Sequence, residues 1–196
     1  MKRDIILAGV GGQGLLTIAA VIGEAALQSG LFIKQAEVHG MAQRGGVVQS
    51  HVRLSNGAIH SDLISEGSAD LILATEPLEA LRYLEYLKAD GMLVTNSAAF
   101  RNVDPYPHDD EIKASIEALP HYLLIDAVAL AKEAGSIRSA NMVVLGAGSP
   151  FIGIQESELR RAIEHIFAGK GAKIVEVNLK GFSLGRKEAM NALKAN

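Results

Sequence analysis

The sequence predicts an α/β fold: a doubly wound, mostly parallel sheet with helices on both faces and a β-hairpin inserted near residues 47–60. Three observations predict it. Short apolar runs alternate with stretches of helical periodicity along the chain. The first apolar run ends in a glycine-rich turn that leads straight into an amphipathic segment. One segment, VVQSHVRL (47–54), alternates with a period of two and is followed by Asn56-Gly57, a strong hairpin signal that breaks the parallel rhythm.

The elements follow in chain order. DIILAG (4–9) is a continuous apolar run with adjacent isoleucines, as in a strand buried on both faces. LLTIAAVIGEAAL (15–27) places Leu15, Ile18, Ala19, Ile22 and Ala26 on one helical face. The uncharged stretch 5–23 after Lys2 and Arg3 imitates a membrane span, but Gly9, Gly11, Gly12, Gly14 and Gly23 interrupt it, and strand, turn and helix account for it better. LFIKQAEV (31–38) reads as a strand and HGMAQRGG (39–46) as a glycine-rich loop. In 47–54, Val48, Ser50, Val52 and Leu54 fall on one face and Gln49, His51 and Arg53 on the other, with a brief return strand expected at Ala58–His60. DLILAT (70–75) is a strand; Pro77 opens a helix through Leu87, with leucines at 78, 81, 84 and 87. MLVTNS (92–97) is the next strand, and 98–108, with Pro105 and Pro107, a loop. Asp109–Leu119 reads as a helix with acidic residues in its first turn. HYLLIDA (121–127) is a strand, followed by a short helix that Gly135 stops. Asn141–Ala147 and Ser157–Phe167 read as helices. The last 25 residues carry no single pattern, and Asn178 is a candidate cap for a final helix toward Lys194.

Length and composition bound the function. The 196 residues are 48% hydrophobic and 21% charged, which suits one domain over 1–196. With 19 Lys+Arg against 22 Asp+Glu, the net charge of -3 offers no basic excess for a nucleic acid partner. The absence of cysteine excludes a disulfide framework, a cysteine nucleophile and cysteine-held iron–sulfur clusters or zinc. A cytoplasmic location without membrane attachment is the expectation.

Gly9, Gly11 and Gly14 form G-x-G-x-x-G between strand and helix, the context that the Rossmann-like fingerprint requires. The first glycine is read as allowing a sharp turn, the second close approach of a ligand, and the third tight helix–strand packing. The helix start then offers free N–H groups to an anion. Glu37 lies where a ribose-binding acid of a dinucleotide site would stand. The alternative is that the glycines serve turn and packing alone. The second loop should neighbour the first at the carboxyl edge of the sheet. It supplies His39, Gly40, Gln43, Arg44, Gly45 and Gly46; the first adds Gly12 and Gln13. Together they are read as an anion pocket or as an edge for docking another subunit, against the plainer reading of a turn with one solvated arginine. His51 and His60 lack a third partner for a metal and are read as surface residues. Asp109-Asp110-Glu111 is read as a helix start. Ser65, Ser68, Ser97 and Ser149 have no triad context, and no nucleophile is assigned.

GVGGQG (9–14) followed by EVHGMAQRGG (37–46) resembles the gamma domain of the 2-oxoacid:ferredoxin oxidoreductases. With ADLILATEPLEALRYLEYL (69–87) and NMVVLGA (141–147), the wording is most similar to the small subunit of the indolepyruvate-type enzymes. The resemblance covers most of the chain and fades toward its C-terminus. It implies an accessory subunit in the oxidative decarboxylation of an aryl 2-oxoacid to its acyl-CoA, with electrons passed to ferredoxin. It implies no cofactor in this chain: thiamine diphosphate, magnesium and iron–sulfur clusters belong to a large partner subunit, and coenzyme A is the co-substrate. The chain lacks both cluster ligands and a GDG…NN-like thiamine diphosphate segment, so it should not turn over alone. The alternatives are a gamma subunit acting on pyruvate, 2-oxoglutarate or a branched-chain 2-oxoacid, or an independent dinucleotide-binding oxidoreductase using Gly9, Gly11, Gly14 and Glu37. An isolated copy is free to self-associate through its docking patch.

Overall fold

In the computed structural model, which describes residues 1–39, 45–101 and 103–195, the centre of the molecule is strand β1 (Lys2–Val10). Ile5, Ile6, Leu7 and Ala8 are fully buried, because side chains alternate between two covered faces. Ile5 and Leu7 join the core beneath α1 (Leu15–Gln28), α4 (Ala127–Ala134), α5 (Ala140–Ile152), α6 (Glu156–Phe167) and α7 (Ala172–Ala195). Ile6 and Ala8 join the core beneath α2 (Pro77–Arg82) and α3 (Asp109–Glu117). Ile5, Ile6 and Leu7 each contribute about 1.5–3 kcal/mol on leaving water. The predicted α/β fold with helices on both faces is the fold observed.

The other strands are β2 (Phe32–His39), β3 (Val47–Ser55), β4 (Ala69–Ala74), β5 (Leu87–Asn96) and β6 (Tyr122–Ile125). The sheet order is β2-β3-β1-β4-β5-β6. β1, β4, β5 and β6 pair in parallel; β3 lies antiparallel between β1 and β2.

The hairpin is present but displaced. Its arms are β2 and β3, and residues 40–46 join them. The return strand expected at Ala58–His60 does not form, because β1 and β2 already occupy both edges of β3. Gly57 N donates instead to Ser55 Oγ at 3.0 Å, and the chain folds back over the polar face of β3. There Arg53 Nη1 donates to the Ser61 and Leu63 carbonyls, and Ile64 N donates to His51 Nδ1 at 3.1 Å. His51, expected at the surface, is therefore buried.

Two helix boundaries also differ from expectation. α2 ends at Arg82, and Leu84–Tyr86 form a 3-10 turn before Leu87 begins β5. α7 begins at Ala172, after Gly171 at φ 96°, so Asn178 lies inside it. Asn178 Nδ2 donates to the Ile174 carbonyl one turn back, at 2.7 Å, the local bond a mid-helix asparagine can make. α5 and α7 pack with their backbones in contact: a methyl group at Gly146 would collide with the Phe182 carbonyl, and one at Gly185 with the Val143 carbonyl.

Candidate functional site

The glycine turn is set by what its residues touch. β1 ends at Val10, and Gln13 closes the turn by donating from its backbone to the Val10 carbonyl at 3.1 Å. The Gln13 side chain returns the contact: Oε1 accepts from Val10 N at 2.9 Å and from Thr75 Oγ1 at 2.8 Å. This ties the turn to the end of β4, where Thr75 is buried. Gly9 leaves room for that hydroxyl, since any Cβ there would collide with Thr75 Oγ1. Gly14 is left-handed at φ 79° and caps α1; a Cβ on it would sit 2.5 Å from Asn141 Nδ2, which donates to the Gly14 carbonyl.

Gly11 serves the neighbouring hairpin. Its N–H donates to the Gly46 carbonyl at 2.8 Å, and its carbonyl accepts from Gly45 N. The two glycine segments are thus side by side, as expected, although the backbone N–H of Gly11 is spent inside the protein. The backbone of His39 pairs with Val48 at the end of β2. Gly40, Gln43 and Arg44 lie outside the described residues. Glu37 is exposed on the edge strand β2. With β3 interposed, β2 stands two strand spacings, roughly 10 Å, from β1. In the Rossmann arrangement the acid-bearing strand adjoins the glycine strand, so this topology draws Glu37 away from the place a ribose-binding acid would take.

Gly12, at φ 100°, has open space where a side chain would be. It borders a cavity of about 700 Å³ on the α1 side of the turn. Gly12–Gly14 and Thr17 form one wall; the segments around Ser139, Lys170 and Asn178 form the others. Arg138, Lys170 and Lys173 line it, and no carboxylate does among the described residues. Lys170 stacks on the Phe167 ring with its ammonium 5.1 Å from the centroid. These cations were absent from the sequence reading. The signal for Lys170 and Lys173, GKGAK at the start of the final helix, falls beside the stretch where the periodicity is ambiguous, and only the fold brings these residues and Arg138 to the glycine turn.

Elsewhere the buried polar groups are structural. Glu76 is fully buried at the end of β4 and caps α2, accepting from Glu79 N at 2.8 Å, from Phe100 N at 3.2 Å and from the Tyr106 hydroxyl. Burial, together with this carboxylate, pushes the Tyr106 phenol well up. Burial raises the Glu79 carboxyl, against the opposing pull of Arg82. Among the described residues no three His, Asp or Glu side chains gather as metal ligands. Without a cysteine, the chain does not fit an iron–sulfur cluster. No helix among the described residues is long and apolar enough to cross a membrane.

The model of the family described as pyruvate ferredoxin/flavodoxin oxidoreductase matches residues 4–188. The chain belongs to that family. Within the pyruvate ferredoxin/flavodoxin oxidoreductase family, it is 40% identical over 200 residues to the indolepyruvate oxidoreductase subunit IorB of Thermococcus kodakarensis, with 98% of each chain covered. Its fold is that of the keto/oxoacid ferredoxin oxidoreductase gamma subunit of Geobacter sulfurreducens (TM-score 0.72, 26% identity, 96% of this chain and 99% of that one). The 2-oxoglutarate:ferredoxin oxidoreductase of Magnetococcus marinus, a structure with 2-oxoglutarate, coenzyme A and succinyl-CoA bound, shares the fold over 97% of this chain (TM-score 0.76, 24% identity). This chain spans only 31% of that longer one, so the same fold occurs there as part of a larger polypeptide.

Proposed function

We propose that this chain is a single gamma-type domain over 1–196 that serves as the small accessory subunit of an indolepyruvate-type 2-oxoacid:ferredoxin oxidoreductase. The observation that carries the reading is the 40% identity to an indolepyruvate oxidoreductase subunit across 98% of both chains. The lack of cysteine supports the assignment of redox ligands to another subunit. The assembled cytoplasmic enzyme breaks the bond between the carboxylate and carbonyl carbons of an aryl 2-oxoacid and releases carbon dioxide. It forms a thioester with coenzyme A and passes electrons singly to ferredoxin. Thiamine diphosphate with magnesium and the iron–sulfur clusters reside on a large partner subunit. This chain's contribution is binding: the glycine segments around Gly11–Gly14 and His39–Gly46 hold an anionic group or dock the partner.

The test is anaerobic reconstitution with the large subunit encoded in the same cell, assayed with indolepyruvate, phenylpyruvate, pyruvate and 2-oxoglutarate. Activity is expected only in the complex and with preference for the aryl substrates. Turnover by this chain alone, or preference for pyruvate or 2-oxoglutarate, overturns the reading. In the active complex, His39→Ala and Arg44→Ala separate the roles of the second loop. Weaker assembly with unchanged turnover per complex marks docking; lower turnover with intact assembly marks anion binding.

A further inference from the structure

The sheet ends in two edge strands of unlike character, β2 and β6. An open edge offers unpaired backbone groups to any other strand, and proteins blunt it with a short strand, a proline or a bulge. β6 is blunted by its length of four residues. β2 runs for eight, contains no proline and pairs with β3 from Phe32↔Ser55 to His39↔Val48 without a register shift. The direction of its free groups follows from β3. Asn56 N donates to the Met1 carbonyl, so even-numbered residues of β3 bond to β1 and odd-numbered ones to β2. Through the β2–β3 register the even-numbered residues of β2 bond inward, and Ile33 and Gln35 turn their N–H and C=O groups outward. The side chains of Phe32, Lys34, Ala36 and Val38 share the face on which residues 61–64 cross β3. Phe32 and Val38, large apolar side chains at equal distances either side of Gln35, are 53% and 55% exposed. Lys34 and Asp62 are exposed on the same face, and neither forms an ion pair among the described residues.

We propose that β2 pairs antiparallel with β2 of a second copy of this chain, about a two-fold axis at Gln35. The axis stands perpendicular to the sheet, so side chains directly opposite each other share a face. Gln35 of each copy exchanges two backbone hydrogen bonds with Gln35 of the other. Phe32 of each copy faces Val38 of the other, which covers both exposed apolar side chains. Lys34 faces Ala36 of the other copy. Ala36 pairs with His51, to which Ile64 N fastens the segment bearing Asp62, so the Lys34 ammonium meets the Asp62 carboxylate of the other copy there. One symmetry operation thus matches outward backbone groups, apolar side chains and unpaired opposite charges together. That self-match selects a second copy as the occupant of the edge. A strand edge is a small contact by the measure of permanent dimers, so the association is reversible, with a Kd on the order of micromolar. The pairing is independent of which oxoacid the complex consumes, so its failure and the failure of the proposed function are separate results.

The test is sedimentation velocity on the full chain from low to high micromolar concentration, with hydrogen exchange read at the Gln35 amide. The native chain should pass from one copy to two as concentration rises, and exchange at Gln35 should slow in step. Gln35→Pro removes an outward N–H and no backbone bond within the chain, which an edge strand tolerates, and should abolish the dimer. Val38→Lys, at an exposed position, should abolish it by placing a charge in the contact. Lys34→Glu should weaken the dimer about tenfold, because two attractions become repulsions, and adding Asp62→Lys should restore it. Tyr122→Lys, on the opposite edge strand, should leave it unchanged. The substituted side chains are all exposed, so circular dichroism should show every variant folded. A chain that stays single at high micromolar concentration, a dimer that survives both Gln35→Pro and Val38→Lys, or growth beyond two copies overturns the proposal. Slowed exchange at Gln35 that arises only on adding the large subunit also overturns it, and assigns the edge to that subunit.

Discussion

At the scale of single residues, the glycine fingerprint divides into unlike tasks. Sequence reasoning located the motif correctly between strand and helix, because the pattern is local and its context contiguous. It assigned the individual glycines differently from the structure. Gly9 gives way to the hydroxyl of Thr75, a residue of another strand, and Gly11 spends its N–H on the hairpin. No local pattern contains either contact. The first of them is testable by a double-mutant cycle. Gly9→Ala should destabilise the chain by about 1–3 kcal/mol, the usual cost of forcing an atom into a filled space. Thr75→Ala removes the colliding oxygen and should recover part of that loss, giving a coupling of about 1 kcal/mol in urea denaturation. Simple addition of the two single effects would show that Thr75 is not what Gly9 accommodates.

At the scale of elements, strands and helices were readable because each carries its own period, and most boundaries fell within a few residues. The misplaced hairpin arose from an ambiguity that is physical. Asn56-Gly57 is a good turn, but a turn makes a hairpin only if the strand before it has a free edge, and edge occupancy is a property of the whole sheet. The basic cavity escaped for the same kind of reason: Arg138, Lys170 and Lys173 meet the glycine turn only after α5 and α7 have packed. That packing rests on glycines that read in sequence as weak points of a helix. Gly146→Ala and Gly185→Ala each drive a methyl into a carbonyl of the facing helix. Each should cost about 3 kcal/mol or more, since two backbones must separate to admit it. Gly57→Ala, with open space around it, should cost well under 1 kcal/mol. Chemical denaturation of the three variants decides it; similar stability of all three would mean that the α5–α7 contact tolerates a wider spacing.

At the scale of the whole molecule, β3 is where the fold becomes sensitive to pH. It joins the edge strand to the rest of the sheet, and its polar face holds two titratable contacts. Burial, and after it the charge of Arg53, lowers the His51 imidazole from its ordinary value, with Asp62 opposing. The folded chain therefore prefers neutral His51, whose Nδ1 accepts the Ile64 N–H. The unfolded chain takes up this proton more readily, so stability is fully present above the ordinary imidazole value of about 6.5 and is lost as pH falls toward the lowered one. Asp4, across β3, has the opposite chemistry and the same sign of effect. Burial alone would raise its carboxyl, but hydrogen bonds and charge from Arg53 and Lys2 together outweigh burial and hold it below 3.8. Its contribution persists until the solution is more acidic than that value. Acid should thus weaken the fold in two separate ranges, first through His51 and then through Asp4. In the first, one proton sets a limiting slope of about 1.4 kcal/mol per pH unit. Urea midpoints measured from about pH 7 to pH 5 should fall for the native chain and fall less for His51→Gln, which keeps a polar group at the site without the titration. An equal fall in both chains would move the sensitivity away from β3.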